Sequence, residues 1–208
     1  MTIELYNAGF EHNGDVLFKD VSFTASSGEI VIVSSANSIA SKHVLQSFLG
    51  LQPLTSGYAS VDGEPVNIDT GAFYRHQMSY LPADFETSAE SVEGLARMMF
   101  RMSINKDFIY SKDAIVGEFQ MLALDAVHFE RRFSELTPAE VQRVMLAFAG
   151  MFGRPVLLLD NPTSMQDEEG RVAVMSYLCS KKFIDTAIVI ASNDLSVRTI
   201  CTKAICID

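Results

Sequence analysis

The stretch that most constrains this chain is a short aliphatic run that ends in a carboxylate and a turn. Val156 to Leu159 is long enough for one buried strand and too short for a buried helix. Asp160 follows the run, and Asn161-Pro162 is a turn signal that ends the strand there. In an open parallel sheet, ligands bind at the carboxyl ends of the strands. The pattern therefore predicts an α/β protein with Asp160 at the ligand-binding edge of its sheet.

Composition is typical of a folded globular protein. Of the 208 residues, 48% are hydrophobic and 20% are charged, a combination that disordered chains lack. The formal net charge of −10 argues against nucleic acid as a partner, because binding to a phosphate backbone requires clustered lysine and arginine. No apolar run reaches the roughly 18 residues of a membrane span, and the N-terminus shows no secretion signal. We therefore expect a cytoplasmic protein.

Strands and helices alternate along most of the chain. Residues 3–5 and 16–23 alternate apolar and polar side chains on either side of a turn at 13–15, which predicts an antiparallel pair. Ile30 to Val33 predicts a strand covered on both faces, followed by a loop of small residues and a helix over 41–51. Further strands are predicted at 78–81, 187–191 and 203–207, and further helices from 137 and over 168–181. This alternation implies a parallel sheet with right-handed crossovers.

Residues 84–132 differ in character and predict an inserted helical subdomain. Apolar side chains recur there at helical spacings, among them Met98, Met99, Phe100, Met102, Ile115, Val116, Phe119, Leu122 and Leu124. Core filling is the favoured interpretation for most of them. A partner-docking surface stays open for the methionines, since methionine repacks easily. On this pattern, residues 1–83 and 133–208 form the core of a single domain that spans 1–208.

Several segments resemble one known family. The aliphatic strand that ends in Asp160, followed by x-Pro-Thr-Ser-x-x-Asp167, resembles the Walker B and D-loop region of ATP-binding-cassette (ABC) ATPases. The loop from Ser35 to His43 occupies the Walker A position, where a strand, a small-residue loop and a helix form the layout of a phosphate-binding loop. The resemblance covers nearly the whole chain. It implies an α/β, P-loop NTPase-like fold: a mostly parallel sheet flanked by helices, with an antiparallel β edge and an inserted helical subdomain.

The Walker A position has lost the residue types that hold a triphosphate. Ser35, Ser38 and Ala40 replace the loop glycines of the family, and Ser41 replaces its phosphate-binding lysine. Glycine lets such a loop adopt positive φ, so that its N–H groups converge on a phosphate. A residue with a Cβ costs on the order of 1–2 kcal/mol in that conformation, so we expect a loop of another shape. The nucleotide-binding positions that the resemblance implies, all vestigial, are His12, Ser35, Ala36, Asn37, Ser38, Ala40, Ser41, Lys42 and His43.

Other positions of the family pattern are altered in the same direction. The resemblance places Asn161 at the catalytic glutamate, Ala83 at the Q-loop glutamine and Asn193 at the switch histidine. With Asp160, these are vestigial catalytic positions, and an asparagine cannot take a proton from water. His12 stands near the position of an adenine-stacking aromatic residue. The signature-like segment is Leu136, Thr137, Pro138, Ala139 and Glu140, in which Pro-Ala replaces a glycine pair.

Two local predictions concern these motifs. Thr137 is a good N-cap, Pro138 suits the first helical position, and Glu140 is placed to complete a capping box. Lys42 stands where the resemblance implies a magnesium-binding hydroxyl. We expect its ammonium group to occupy the cation position and neutralise Asp160, and the alternative is a lysine that faces solvent.

Three functions stay open at this stage. The first is a pseudo-ATPase that binds no cofactor and acts as the structural or regulatory partner of a membrane permease. An active ABC subunit, in a homo- or heterodimer, is the other partner implied, at the inner face of the plasma membrane. The second is a working ABC transporter ATPase with Mg-ATP as cofactor and the metal ion on Asp160. The third is a soluble regulator that has kept the fold; the altered motif positions favour the first.

Overall fold

The computed structural model describes residues 1–84 and 91–207. Residues 85–90, near the start of the predicted helical subdomain, lie outside the described residues. The strands are β1 (Thr2–His12), β2 (Asp15–Ser26), β3 (Ile30–Ser34), β4 (Ser56–Val61), β5 (Glu64–Val66), β6 (Met78–Leu81), β7 (Val156–Asp160), β8 (Ala187–Ala191) and β9 (Lys203–Cys206). The helices are α1 (Ser38–Phe48), α2 (Ile68–Arg75), α3 (Val92–Arg101), α4 (Lys112–Met121), α5 (Pro138–Gly150) and α6 (Glu168–Leu178).

The central sheet has five strands in the order β6-β7-β8-β3-β9. The pairs β7–β8, β8–β3 and β3–β9 are parallel, which confirms the prediction from the alternating strands and helices. Every residue of β3, β7 and β8 is buried, because continuous aliphatic runs have no polar face to present to water. At the carboxyl end of each of these three strands, the chain continues into a short segment with polar side chains.

A second sheet contains the predicted antiparallel pair. Its strand order is β2-β1-β4-β5, and β1 pairs antiparallel with both β2 and β4. His12 pairs with Asp15 across the predicted turn. Val21 and Phe23 are buried, whereas Asp20 and Ser22 between and beside them are exposed, so the alternation in the sequence reports the buried face of β2. The antiparallel part is thus a sheet of its own rather than two edge strands.

The chain divides into two compact units. The first comprises Met1–Tyr80, Arg154–Asn161 and Lys181–Asp208, and the second comprises Leu81–Gly153 and Pro162–Ser180. The first unit contains both sheets apart from Leu81, together with α1 and α2. The second unit contains α3 to α6. The separation of 84–132 from the rest of the chain stays a prediction.

Aromatic residues form the centre of the second unit. Phe119 of α4 packs against Phe129 and against Phe148 of α5, with ring centroids 6.5 Å and 6.0 Å apart. Ile115, Leu122 and Leu124 are also buried, as core filling predicts. Met98 and Met102 are about half exposed, so core filling is wrong for these two. They lie four residues apart, which places them together on the outer side of α3 and its C-cap.

A tight approach between β1 and β4 depends on glycine. Gly57 has φ +67°, and a Cβ added there would overlap the backbone carbonyl groups of Tyr6 and Asn7. Gly63, in the turn between β4 and β5, has φ +86° with open space around the same position. Both glycines have a positive φ, which is unfavourable for other residues, but only Gly63 has room for a side chain.

We expect Gly57→Ala to lower the free energy of unfolding by about 3 kcal/mol, since steric overlap adds to the backbone strain. Gly63→Ala, the matched control, should lose only about 1 kcal/mol from strain. Urea unfolding of both variants measures the difference. Equal losses would show that β1 and β4 do not need this close approach.

Candidate functional site

The segment after β3 begins a helix early instead of forming a glycine-type loop. Asn37 is the N-cap of α1 with φ −100°, and its Oδ1 atom accepts a hydrogen bond from the N–H of Ile39 at 2.9 Å. From Ser34 to His43, no residue has a positive φ. Ser38 and Ala40 are already helical, as residues with a Cβ prefer at these positions. The predicted change of loop shape therefore takes the form of a capped helix start.

Three backbone donors of this segment are already bound to side-chain oxygens of the same unit. The N–H of Ser35 donates to Oδ1 of Asn193 at 3.2 Å, and Nδ2 of Asn193 donates to the carbonyl of Ser35 at 2.7 Å. The N–H of Asn37 donates to Oγ of Ser35 at 3.0 Å. With the N–H of Ile39 on the Asn37 cap, three donors that could face an anion are occupied. Asn193, which the resemblance places at the switch-histidine position, thus connects the start of this segment to the turn after β8.

The predicted pairing of Lys42 with Asp160 is wrong. Throughout the described ranges, Lys42 forms no ion pair within 4.0 Å. Asp160 is 2% exposed, and its Oδ1 atom accepts a hydrogen bond from Nδ2 of Asn161 at 3.0 Å. Ala40, Ser41, Val44 and Leu45 form the buried face of α1, and Lys42 lies on its half-buried flank. One residue along a helix is about 100° of rotation, so a lysine one position late does not replace the missing one.

Ser41 and Asn161 have the local roles that their side chains favour. The buried hydroxyl group of Ser41 donates to the carbonyl of Ser38 at 3.2 Å, a bond within the first turn of α1. Asn161 adopts φ +49°, a left-handed conformation that asparagine tolerates, and its N–H donates to the carbonyl of Ala191 at 2.8 Å. Ser41 therefore stabilises the first turn of α1, and Asn161 stabilises the end of β7.

Tyr80 is a neighbour of Asp160 that the sequence pattern did not indicate. Its hydroxyl group is buried and has no hydrogen-bond partner within the residues described. Burial, together with the negative charge of Asp160, raises the pKa of Tyr80 to about 12. Tyr80 therefore stays neutral at physiological pH. It adds a polar but uncharged group beside the carboxylate.

The rings of His43 and His12 both lie beside Phe10. Nδ1 of His43 donates to the carbonyl of Ile39 at 2.8 Å, and its ring lies 4.3 Å from the ring of Phe10. His12 is exposed at the end of β1, with its ring 6.4 Å from Phe10. In the part of the chain that is described, no group of three histidine, cysteine, aspartate or glutamate residues is arranged to hold a metal ion.

The signature-like segment lies in the second unit and starts α5 as predicted. Thr137 is the N-cap, Pro138 is the first helical residue, and the capping box between Thr137 and Glu140 is present. Glu140 also binds Nε2 of His128 at 3.0 Å, while Nδ1 of His128 faces the carbonyl of Asp125 at 2.9 Å. Each ring nitrogen of the buried imidazole thus faces an oxygen atom. Pro138 and Ala139 thus begin a capped helix whose Glu140 side chain pairs with His128.

Gln142 and Asp167 have structural roles here. Gln142 is 1% exposed; its amide donates to Oγ of Ser164 and accepts from the amide of Gln166 at 2.9 Å. Asp167 is the N-cap of α6 and accepts from the N–H of Gly170 at 2.8 Å. Ala83 is half-buried just after β6 and, lacking a polar side chain, offers no ligand atom. The contacts of Gln142 and Asp167 therefore stabilise the second unit.

We expect Asn193→Ala to expose the backbone of Ser35 to solvent and to lower the free energy of unfolding by about 2 kcal/mol, because two hydrogen bonds are lost. Amide hydrogen exchange at Ser35, followed by NMR, measures the effect directly. Leu195→Ala, at a 72% exposed position two residues later, is the control and should leave the exchange unchanged. Equal protection in both variants would contradict the closing role of Asn193.

The ion pair of Glu140 predicts a pH dependence of stability. The bond from His128, followed by the bond from the Thr137 backbone, lowers the pKa of Glu140 from 4.5 to about 2. A folded-state pKa below the unfolded value stabilises the protein fully above pH 4.5, and this stabilisation is lost as the pH falls toward 2. Glu140→Gln should therefore cost about 2 kcal/mol at pH 6 and about half as much at pH 3.

Urea unfolding at the two pH values tests this. Glu135→Gln is the control, since Glu135 accepts a backbone bond from Arg132 at 2.7 Å without a histidine partner. A loss for Glu140→Gln that is the same at pH 6 and pH 3 would show that the pair contributes nothing through ionisation.

A family model described as ABC transporter matches residues 18–164 of this chain. A probable ABC transporter ATP-binding/permease protein of Haemophilus influenzae is 25% identical, over 99% of this chain and 38% of its own length. A cobalamin import ATP-binding protein of Halobacterium salinarum is 27% identical, over 94% of this chain and 50% of its own length. The chain thus spans at most half of the length of these two relatives.

Solved structures share the fold. The ATP-binding subunit of an ABC transporter superposes with a TM-score of 0.83 at 16% identity, over 100% of this chain and 86% of its own. The dimeric structure of a bacterial ABC transporter cassette superposes with a TM-score of 0.82 at 17% identity, over 99% of this chain and 94% of its own. These likenesses confirm the predicted α/β fold class. Since the family model covers well over half of the residues, the chain belongs to the ABC transporter family.

Proposed function

We propose that this ABC ATP-binding subunit is a pseudo-ATPase that neither binds nor hydrolyses ATP at the Ser35–His43 segment. The observation that carries the proposal is the occupation of that segment's own donors: the N–H groups of Ser35, Asn37 and Ile39 are bound to side-chain oxygens. A triphosphate would have to displace these bonds and unwind the first turn of α1. The residues present therefore do not fit Mg-ATP, and no step of hydrolysis is assigned to them.

The chemistry of the remaining positions supports the same conclusion. Ser41 carries no charge with which to face the β- and γ-phosphates. Asn161 carries an amide instead of a carboxylate, so it cannot act as a general base toward water. Asn193 uses both ends of its amide on Ser35. Removing one preorganised electrostatic group typically costs about 10²–10³ in rate, and three such positions are altered here.

The partners we propose are a membrane permease and a second ABC subunit. The names of the relatives support this kind of partner: one is an ATP-binding/permease protein, and another an import ATP-binding protein. A solved neighbour is a dimeric cassette. No described helix is long and apolar enough to cross a bilayer. We propose that the chain acts at the inner face of the plasma membrane, as a structural or regulatory subunit that pairs with another copy or an active ABC subunit.

A working ATPase is the second candidate. It is favoured by Asp160, which stands at the carboxyl end of β7 as a metal ligand would, and by the ATP-binding relatives. Under this alternative, Asp160 would hold magnesium and the partner subunit would supply the missing groups.

Titration of the purified chain with Mg-ATP separates the two candidates. We expect no saturable binding up to about 1 mM, which corresponds to a binding free energy weaker than about −4 kcal/mol. A variant with the six changes Ser35→Gly, Ser38→Gly, Ala40→Gly, Ser41→Lys, Lys42→Ser and His43→Thr is the positive control and should gain binding. Micromolar binding by the unchanged chain would support the working ATPase and overturn the pseudo-ATPase.

A further inference from the structure

The first unit contains a pocket that shares no residue with the Ser35–His43 segment. Its volume is about 510 Å³, within the range of small-molecule sites, which is roughly 300–1,000 Å³. The end of α1, the loop after it, β4 and the segment from β5 into α2 form its walls. Apolar and aromatic side chains provide most of the lining, including Leu54, Tyr58, Val66 and Ile68.

Close backbone packing fixes two of the walls against each other. Gly50, with φ +64°, lies so near α2 that an added Cβ would be 2.7 Å from the carbonyl oxygen of Asn67 and 2.9 Å from Cα of Gly71. The guanidinium group of Arg75 donates to the carbonyl of Leu49 at 2.6 Å. A capping box at Asn67 fixes the start of α2. The concave shape is therefore built into the backbone and does not depend on a mobile side chain.

An aromatic ring forms part of another wall. Tyr58 of β4 stacks on Tyr6 of β1 with ring centroids 5.4 Å apart, and it keeps 41% of its surface exposed. Exposed aromatic rings held in place by a neighbour are suitable surfaces for flat apolar groups and for cations. The stacking holds the Tyr58 ring in position in the absence of a ligand.

Three polar side chains of the pocket have no hydrogen-bond partner in the described structure, and the pocket carries charge of one sign. The side chains of Gln52, Tyr58 and Asp69 make no hydrogen bond or ion pair among the described residues. Asp69 is the one charged residue of the lining, and neither lysine nor arginine contributes to it. Asp69 is the second residue of α2, where the helix dipole favours a carboxylate. The pocket therefore offers a negative charge that has no counterion in the lining, together with an aromatic ring and an amide.

We propose that this pocket binds a small organic cation, an ammonium or guanidinium group attached to a flat apolar body. The cationic group pairs with the Asp69 carboxylate, and the apolar body packs against Tyr58, Leu54 and Ile68. An anionic ligand would meet the Asp69 charge in a chain whose net charge is already −10. The proposal is independent of whether the chain hydrolyses ATP, because the two sets of residues do not overlap.

Titration with 2-phenylethylammonium, followed by backbone amide NMR of the whole chain, tests the proposal. We expect saturable shifts at the pocket residues, such as Gly50, Gln52 and Ala59, and binding at least five-fold weaker for the neutral analogue 2-phenylethanol. Asp69→Asn should weaken binding of the cation at least five-fold. The matched control is Asp113→Asn, since Asp113 is also the second residue of its helix, α4, and lies in the other unit. This control should leave the affinity unchanged.

A second variant controls for a general effect on the fold. Tyr58→Leu, checked for an unchanged thermal midpoint, should weaken the cation and 2-phenylethanol together by removing the ring. Equal affinity for cation and alcohol in the unchanged chain, or equal losses in Asp69→Asn and Asp113→Asn, would overturn the proposal. Shifts confined to residues outside the pocket would overturn it as well. Saturation by N-acetylargininamide with no binding of 2-phenylethylammonium would assign the pocket to a basic side chain of a partner protein, and would equally overturn the small-molecule assignment.

Discussion

The two hydrogen bonds between the Asn193 amide and the Ser35 backbone are the interaction on which the proposed loss of activity depends. They connect the end of β3 to the turn after β8, at the edge of the sheet where a parallel α/β protein presents its ligand site. Asn37 then caps α1 from within the segment. The N–H groups of Ser35, Asn37 and Ile39, which could otherwise bind an anion, are thus bound within the protein. Under the proposed function, the fold is kept while side-chain oxygens occupy three backbone donors of the Ser35–His43 segment.

The parts of the structure that could be predicted are those decided by nearby residues. The aliphatic runs at Ile30 and Val156 become fully buried strands because they have no polar face. The capping box at Thr137 forms because its two partners lie three residues apart. The loss of glycines after β3 predicts a loop of another shape for a similarly local reason, namely the cost of positive φ with a Cβ.

Other features depend on contacts that spacing does not reveal. The predicted pairing of Lys42 with Asp160 is wrong: α1 starts at Ser38, three residues before the predicted start, and Lys42 lies on its half-buried flank. The ion pair of His128 with Glu140 joins residues on separate segments, and nothing in the periodicity marks it. Met98 and Met102 are exposed although their spacing fits a core face. The contacts of Gln142 and Asp167, which stabilise helices and a loop of one unit, are likewise not visible in the spacing.

The most direct test of the central claim is amide hydrogen exchange at Ser35, Asn37 and Ile39 with and without saturating Mg-ATP. If the donors are already bound within the protein, exchange at all three is slow in the free protein and does not change when nucleotide is added. Fast exchange in the free protein that becomes slow with Mg-ATP would show that these N–H groups are open to a triphosphate, and would contradict the account.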